Sequence, residues 1–418
     1  MAELSKIKRF LIVDDDRESQ TIMKALLGQL KIQDITVVED AEAALDKLDP
    51  KRIEFLIINW DLRGKVSGSV FLQRLKSQAA FRHLPFCVYS QSFDEEDLTL
   101  LNEYGIENLF SAPIDREEAS KVLKKSIEKE SKVDKDSRIL RQAAGYLADE
   151  DPSEAMFMVK SVLSNKKLKA LSLALKAEIH VFNDELEDAE KDLDASLEID
   201  GRNSNAMQTM AKVYSRTNRH REAIQMLRQM IRLSPKNLSH MLSLGAAYID
   251  ANKHEKAREK LKQVEKRDPN NPRLKEQLGI IAFKEKNFDL AEEILTNTLN
   301  KTELGRTFNN VGIGQVNNGK IKDGIKSYQV ALKILGQNRY QHRLIYNKGV
   351  AFKKNGDLRK AFELFYESYK MNSRFDKAYS SFIRLVKKMD QEGIPVDTDK
   401  VKELKILRKK EVEKMSSE

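Results

Sequence analysis

Carboxylate side chains follow two short apolar runs near the start of this sequence. Asp14 and Asp15 come directly after the run RFLIV, and Asp61 comes two residues after Asn59, which ends the run FLIIN. Such runs are typical of buried strands, and open α/β sheets bind ligands just beyond the ends of their strands. Because magnesium prefers oxygen ligands, the pattern is compatible with a weak magnesium site at Asp14, Asp15 and Asp61. The alternative is that these acids are solvated at the strand ends, and no other cofactor is expected.

The elements that would position these acids alternate between strand-like and helix-like segments. Apolar runs typical of strands occur at residues 9–16, 35–40, 55–59, 84–91 and 106–114. Segments with apolar residues at helical spacing follow them, at residues 17–30, 41–48, 67–78, 95–105 and 116–130. Alternation of this kind predicts a parallel sheet with helices on both faces. We therefore expect an α/β domain over residues 8–130, built on a doubly wound, five-stranded parallel sheet.

This α/β domain resembles a response-regulator receiver domain, because several motifs occur in the order that the family has them. Asp14 and Asp15 end the first strand, where the family has an acidic, magnesium-binding pair. Ser90 ends the fourth strand, where the family has Ser or Thr. Ala112 precedes a proline after the fifth strand, where the family has Lys-Pro, and Asn59 stands at the position of the phosphoacceptor aspartate.

Two departures from the family pattern bear on function. The family transfers a phosphoryl group to a carboxylate, and the Asn59 amide cannot form the same acyl phosphate. Ala112 cannot supply the positive charge of the family lysine. The resemblance, with both differences, implies a degenerate receiver (a pseudo-receiver) that does not take phosphate. The alternative is that Asp61 accepts the phosphoryl group instead.

A repeat of 34 residues occupies the chain after residue 130. Small residues recur at this interval in two series, Ala143, Ala177, Ala211, Gly245, Gly279 and Ala155, Ala189, Ala223, Ala257, Ala291. Two looser copies follow, with Gly312 and Gly324 in one and Gly349 and Ala361 in the other. Two antiparallel helices approach closely only where side chains are small, so the spacing predicts a series of helix pairs.

The pattern resembles the tetratricopeptide repeat, which implies an all-α superhelix whose concave face binds peptides or helices. We expect seven repeats over residues 136–375, joined to the α/β domain by a helical connector at residues 131–135. A stack of repeats requires a capping element at its end. We expect a capping helix at residues 376–390, followed by a basic tail at residues 391–418.

Positions two and six of each tetratricopeptide repeat face the groove in the family. In the last three repeats these positions hold an arginine and an amide, as Arg273 with Gln277, Arg306 with Asn310, and Arg343 with Asn347. Arginine can bind a carboxylate through two hydrogen bonds, and an amide can both donate to and accept from an extended backbone. The recurrence predicts a groove for an acidic or C-terminal peptide. The alternative is that these are ordinary polar residues on a solvated surface.

Composition restricts the class of protein. The chain has 418 residues, one cysteine (Cys87) and a formal net charge of +9. It has no apolar stretch long enough to span a bilayer and no N-terminal signal-peptide pattern, and a single cysteine fits a reducing compartment, so a cytoplasmic location is expected. No phosphate-cradling glycine loop and no Ser/His/Asp arrangement is recognisable, so we expect no enzyme activity.

These observations predict a bacterial signalling scaffold or adaptor of two-component, phosphorelay ancestry. The pseudo-receiver would bind one partner protein, and the repeat groove would bind another, acidic partner. The alternative is a phosphorylation-competent response regulator whose repeats are the protein-binding output. A weaker alternative is a nucleic-acid-binding regulator that uses the basic tail, and the sequence does not favour nucleic acid as a partner.

Overall fold

The computed structural model describes residues 7–49, 52–78, 81, 84–296, 301–338 and 340–415. The chain forms two compact units, Met1–Asn271 and Pro272–Glu418. The boundary between the units therefore lies within the repeats and not near residue 130, where the composition changes. Each unit is described in turn.

The first unit begins with an α/β region built on one parallel sheet. Its strands are β1 Arg9–Val13, β2 Asp34–Val38, β3 Phe55–Asn59, β4 Phe86–Ser90 and β5 Leu109–Ser111. Its helices are α1 Arg17–Gln29, α2 Ala41–Lys47, α3 Gly68–Ser77, α4 Glu95–Glu103 and α5 Arg116–Ser131. The strand order is β2-β1-β3-β4-β5, and every neighbouring pair is parallel. The predicted doubly wound five-stranded sheet is confirmed.

The central strands are apolar on both faces because helices cover both sides of the sheet. Every residue of β3 and of β4 is buried, which explains why these strands read as continuous apolar runs without alternation. On one face, Met23 of α1 and Leu123 of α5 pack against the sheet. Phe10 and Phe55 stack there with ring centroids 4.9 Å apart. The register of this core brings the C-terminal ends of β1, β3 and β4 side by side.

Four helix pairs complete the first unit. Repeat 1 is α6 Lys135–Ala148 with α7 Pro152–Val162, repeat 2 is α8 Lys169–Asn183 with α9 Leu186–Ile199, repeat 3 is α10 Ser204–Arg216 with α11 His220–Leu233, and repeat 4 is α12 Leu238–Asp250 with α13 His254–Arg267. The alanines at 34-residue intervals (Ala155, Ala189, Ala223 and Ala257) are all fully buried. Their small side chains lie where the two helices of each pair meet, as the spacing predicts.

The second unit continues the same pattern. Repeat 5 is α14 Pro272–Lys284 with α15 Phe288–Leu295, repeat 6 is α16 Lys301–Asn317 with α17 Ile321–Leu335, and repeat 7 is α18 Gln341–Lys354 with α19 Leu358–Met371. Helices α20 Asp376–Gln391 and α21 Thr398–Met415 follow. At Gly349 an added Cβ atom would lie 2.9 Å from the Phe365 ring, so the two helices of repeat 7 meet there without room for a side chain.

The turn inside each pair uses one residue in the left-handed conformation. Glu150, Asp184, Asn218, Asn252 and Lys286 have φ values of 60°, 71°, 62°, 55° and 66°. The next residue donates back to the carbonyl five positions earlier, as from Arg219 N to Tyr214 O at 2.7 Å and from Lys253 N to Tyr248 O at 2.8 Å. This bond ends the first helix of the pair and turns the chain towards the second. This is a third series at 34-residue intervals, and it was not among the predicted ones.

The structure adds detail at both ends of the repeat region. The predicted helical connector is a turn at residues 132–134, where the backbone of Lys132 ends α5 and the Asp134 side chain caps α6 by accepting from Ser137 N at 2.9 Å. The predicted basic tail contains α21, whose Leu404 is fully buried. Val401, Leu404 and Leu407 recur every three residues and form an apolar stripe that packs into the core of the last repeats.

Replacing Ala223 or Ala257 with leucine should overpack the helix pair. Both alanines are fully buried in the described structure, so the larger side chain has no space. Overpacking costs about 1–3 kcal/mol, and in a repeat protein the damage extends to neighbouring repeats. The melting temperature of each variant measures the effect. A melting temperature equal to that of the parent protein for both variants would show that the repeat register is wrong.

Candidate functional site

The predicted receiver pocket lies at the C-terminal ends of β1, β3 and β4, and its central group is the Asp14 carboxylate. Asp14 is fully buried. Its Oδ1 atom accepts from Asn59 Nδ2 at 2.8 Å and from the backbone N–H of Asp16 at 3.0 Å. Its Oδ2 atom accepts from the Tyr89 hydroxyl. Hydrogen-bond donors of the protein therefore stabilise this buried charge.

Tyr89 is a pocket residue that sequence reasoning missed. It is almost completely buried on β4, and its ring stacks on Phe110 with centroids 5.2 Å apart. Burial, together with the neighbouring Asp14 charge, raises the pKa of the Tyr89 phenol. The phenol therefore stays protonated and donates a hydrogen bond to Asp14. The only signal in the sequence was the tyrosine hydroxyl, a polar group in an otherwise apolar strand, one residue before Ser90.

Asp61 has its own set of donors on the other side of Asn59. Ser90 Oγ lies 3.0 Å from each carboxylate oxygen of Asp61, and the backbone N–H of Gln91 donates to Asp61 Oδ2 at 2.7 Å. Asn59 Oδ1 accepts from the backbone N–H of Asp61 at 2.9 Å. The Asn59 side chain thus bridges the two acids, with its amide nitrogen on Asp14 and its oxygen on the Asp61 backbone.

The three predicted magnesium ligands each face a different group of donors. Asp15 Oδ2 accepts from the backbone N–H of Arg63 at 3.0 Å, whereas Asp14 and Asp61 are held as described above. Within the residues that the structure describes, no three His, Cys, Asp or Glu side chains form a group that could hold a metal ion. The magnesium site stays a prediction, and it would require the three carboxylates to move together.

Ala112 comes just after β5, and Gly68 lies beside Asn59. The backbone N–H of Ala112 donates to the Ser90 carbonyl at 2.8 Å, and its methyl group packs on the core, so this position adds no charge. Gly68, the first residue of α3, lies against the backbone of Asn59 and Trp60. A Cβ atom on Gly68 would be 2.5 Å from the Asn59 carbonyl oxygen. The absence of a side chain at Gly68 therefore allows α3 to seat against the end of β3.

The second predicted site is the ladder on the first helices of repeats 5, 6 and 7. Its six residues lie as expected on α14, α16 and α18, which hold Arg273 and Gln277, Arg306 and Asn310, and Arg343 and Asn347. Gln277 is buried, whereas Asn310 and Arg343 are exposed. The Arg343 guanidinium lies 5.4 Å from the ring centroid of Tyr340. The six side chains therefore differ in how far they reach solvent.

An amide contact joins repeats 6 and 7, and it involves a residue that the sequence analysis missed. Asn347 Nδ2 donates to Asn309 Oδ1 at 2.6 Å. Asn309 is buried, and its neighbour Asn310 is exposed. Asn309 therefore faces α18 and links the two helices, whereas Asn310, the next residue of α16, faces solvent. The one available signal was the Asn-Asn pair itself, which does not show which residue faces α18.

Comparison with family models supports both predicted domain types. A model of the response regulator receiver domain matches residues 10–124. A model of the tetratricopeptide repeat matches residues 209–272 and 242–297. Among the described helices, none combines the length and the apolar character needed to cross a lipid bilayer.

Known proteins match parts of the chain. Chemotaxis protein CheY-3 of Vibrio cholerae serotype O1 is 25% identical over 112 residues, which are 27% of this chain and 85% of that protein. Phosphate regulon transcriptional regulatory protein PhoB of Klebsiella pneumoniae is 26% identical over 111 residues, which are 27% of this chain and 48% of that protein.

Solved structures also resemble the chain. A chain of the APC/C hetero-tetramer Cut9-Hcn1 has 15% sequence identity to this chain and a TM-score of 0.43. The match covers 64% of this chain and 52% of that chain, which is about half of its length. A tetratricopeptide repeat protein from Parabacteroides merdae ATCC 43184 has 12% identity and a TM-score of 0.40, with coverage of 60% of this chain and 98% of that one.

Proposed function

Because the chain carries a response regulator receiver domain followed by tetratricopeptide repeats, it is a signalling protein with a protein-interaction region, and we propose that it works as a scaffold. In this proposal the receiver acts without phosphorylation, as a pseudo-receiver, and the repeats bind a partner protein. The protein acts by binding and not by catalysis.

The observation that carries the proposal is the Asn59 side chain between the two acids. Its amide nitrogen donates to the buried Asp14 carboxylate at 2.8 Å. An amide lacks the nucleophilic oxygen that phosphoryl transfer to a carboxylate requires. The same bond stabilises Asp14, which a carboxylate at position 59 would repel. Asn59 therefore cannot accept a phosphoryl group as the family aspartate does, and its side chain is a structural part of the pocket.

A phosphorylation-competent regulator is the second candidate, and the position of Asp61 is the observation that favours it. Asp61 is exposed and adjoins Ser90, so a phosphoryl donor could reach it. The backbone N–H of Gln91, however, already donates to Asp61 Oδ2, and the Ser90 hydroxyl lies 3.0 Å from each carboxylate oxygen. These bonds stabilise the carboxylate in its present position and lower its tendency to attack.

Incubating the full chain with acetyl phosphate and magnesium should give no phosphate adduct. The reason is the Asn59 amide together with the uncharged Ala112. Intact mass measured after incubation checks this result. The matched control is the double variant Asn59→Asp with Ala112→Lys, which supplies both an acceptor and a counter-charge and should gain the mass of one phosphate. An adduct on the parent protein that is lost in Asp61→Asn would establish the second candidate.

The repeat groove is proposed to bind an acidic peptide through the ladder of repeats 5 to 7. Arg306 is half-buried at the centre of this ladder, and Asn310 is exposed four residues later on the same helix. Residues four apart share one face of a helix. An arginine could therefore pair with a carboxylate of the peptide while the amide bonds to the peptide backbone.

Arg306→Ala should weaken binding of such a partner more than any other single change in the ladder. Loss of one member of a desolvated charge pair costs about 2–5 kcal/mol, whereas an exposed pair contributes about 1 kcal/mol or less. Arg306→Lys should restore only part of the affinity, and Asn310→Ala should weaken peptides of any sequence. The affinity for a partner peptide recovered by pull-down measures these effects.

Arg359→Ala is the matched control, because Arg359 is an exposed arginine on α19, the second helix of its pair. It should bind the peptide as the parent protein does. If Arg306→Ala and Asn310→Ala both bind like this control, the peptide-binding surface lies elsewhere on the protein.

A further inference from the structure

Within the first unit, helices α3 and α4 of the receiver contact repeats 3 and 4. The contacts join residues that are more than 100 positions apart in the sequence, and all of them lie before Asn271, within one compact unit. On the repeat side, they involve the first residue of α10, the turn between α11 and α12 with the start of α12, and the end of α13. The surface formed by Ser204, Lys236, Asn237 and His240 is called the donor surface below.

The donor surface binds both ends of α4 through carboxylates. At the N-terminal end, Lys236 Nζ donates to Asp97 Oδ1 at 2.8 Å and also to Asp94. At the C-terminal end, Glu103 accepts three hydrogen bonds from the repeats. Their donors are Asn237 Nδ2 at 2.9 Å, His240 Nε2 at 2.6 Å and the Ser204 hydroxyl. Three acids of one short helix are therefore bound by four residues of two repeats.

The contacts at the C-terminal end of α4 are largely removed from water. His240 is only 2% exposed, and the Glu103 side chain is 15% exposed. Burial alone would raise the pKa of Glu103, but the hydrogen bond and charge of His240, with the bonds from Ser204 and Asn237, outweigh it and lower the pKa to about 2. The repeats therefore provide an environment that strongly favours a carboxylate at this place.

Helix α3 adds two contacts that orient the receiver on the same surface. Gln73 Oε1 accepts from the backbone N–H of Leu238, the first residue of α12, at 2.7 Å. Arg74 Nε lies 3.1 Å from each carboxylate oxygen of Asp268, at the end of repeat 4. The bond to Leu238 satisfies one of the N–H groups that the start of a helix leaves without an intrahelical partner.

We propose that the donor surface is a binding site for an acidic helix, that α4 is its internal ligand, and that a partner protein with such a helix binds the repeats by displacing α4. The surface donates to Asp94, Asp97 and Glu103, which are three of the five acids in α4 and its N-cap. A neutral or basic helix would leave the buried donors of Asn237 and His240 without acceptors, which is unfavourable, and Lys236 would lose both of its carboxylate partners. The partner is thus identified by its chemistry, as a helix with carboxylates near both of its ends.

Binding of a partner at the donor surface would also affect the receiver. The α3 and α4 face of the receiver is occupied by the chain's own repeats, so a second protein cannot bind this face while α4 is in place. A partner that takes the donor surface would release the face. Binding at the repeats and exposure of α3 and α4 are then linked events, which requires no phosphate on the receiver. The proposal is independent of the groove in repeats 5 to 7.

The test uses a capped synthetic peptide with the sequence of residues 92–105, which contains Asp94, Asp97 and Glu103. Its binding is measured to the full chain and to a full-length triple variant, Asp94→Asn, Asp97→Asn and Glu103→Gln. Asparagine still caps a helix, so α4 should stay folded in this variant while it loses its charges. We expect the triple variant to bind the peptide at least tenfold more tightly than the parent protein. Adding Lys236→Glu should reverse the gain.

A second peptide distinguishes recognition of the carboxylates from non-specific binding. The control peptide carries the same three substitutions as the triple variant and should bind at least tenfold more weakly than the acidic one. Equal binding of the two peptides, equal binding to parent and triple variant, or no binding to either protein would overturn the proposal.

A second measurement covers the case in which the triple variant does not fold. Amide hydrogen exchange of the parent chain is followed as the acidic peptide is added at up to millimolar concentration. Exchange in α4 should become at least threefold faster, because the helix is displaced, while exchange in α5 should not change. Unchanged exchange in α4 at the highest peptide concentration would overturn the proposal in the parent protein itself.

Discussion

Arg74→Ala is expected to destabilise the first unit by about 3–5 kcal/mol, which is the usual cost of removing one partner from a buried ion pair. The Arg74 side chain is 13% exposed, and that of its partner Asp268 is completely buried. Without Arg74, the side-chain bond that Asp268 keeps among the described residues is that from Asn271 Nδ2 at 2.7 Å, and the carboxylate charge is left largely uncompensated. Urea unfolding, followed by amide exchange in α12 and α13, measures the loss.

Arg63→Ala is the matched control for this prediction. Arg63 also lies near an aspartate, with its Nε 3.9 Å from Asp15, but its side chain is 82% exposed. Exposed pairs contribute between about 0 and 1 kcal/mol, so this variant should be nearly as stable as the parent protein. If Arg74→Ala were no more destabilising than Arg63→Ala, then Arg74 and Asp268 would not form a buried pair in solution.

Gly68→Ala is expected to cost about 3 kcal/mol, at the upper end of the range for overpacking. An added Cβ atom would lie 2.5 Å from the Asn59 carbonyl oxygen and 2.8 Å from Trp60 Cα. Both are backbone atoms of β3 and the turn after it, and backbone cannot move aside as a flexible side chain can. Helix α3 would have to shift away from the pocket. Thermal unfolding and amide exchange in β3 measure the effect.

Gly28→Ala provides the opposite result from the same chemical change. Gly28 is exposed within α1, and an added Cβ atom there meets nothing within 4 Å. Alanine is favoured over glycine by about 0.5–1 kcal/mol in a helix interior and by less in the last turn, where Gly28 lies, so this variant should melt at the same or a slightly higher temperature. If Gly68→Ala behaved like Gly28→Ala, α3 would not be seated against Asn59 as described.

Most elements of this protein follow from local patterns in its sequence. Continuous apolar runs gave β3 and β4, since strands covered on both faces have no polar side. Small residues every 34 positions gave the helix pairs, since two helices pack closely only where side chains are small. The apolar stripe of α21 is present too, but lysine and glutamate dominate that segment and obscure the stripe.

Tertiary structure decided which polar groups meet. The Tyr89 hydroxyl reaches Asp14 across 75 positions of sequence, and Lys236 reaches Asp94 across 142. Likewise, the twist of α16 relative to α18 selects Asn309, and not Asn310, as the partner of Asn347. A hydrogen bond is short and directional, so it forms only where two elements are placed to within a fraction of an ångström. That placement depends on the packing of the whole unit, and no local period in the sequence specifies it.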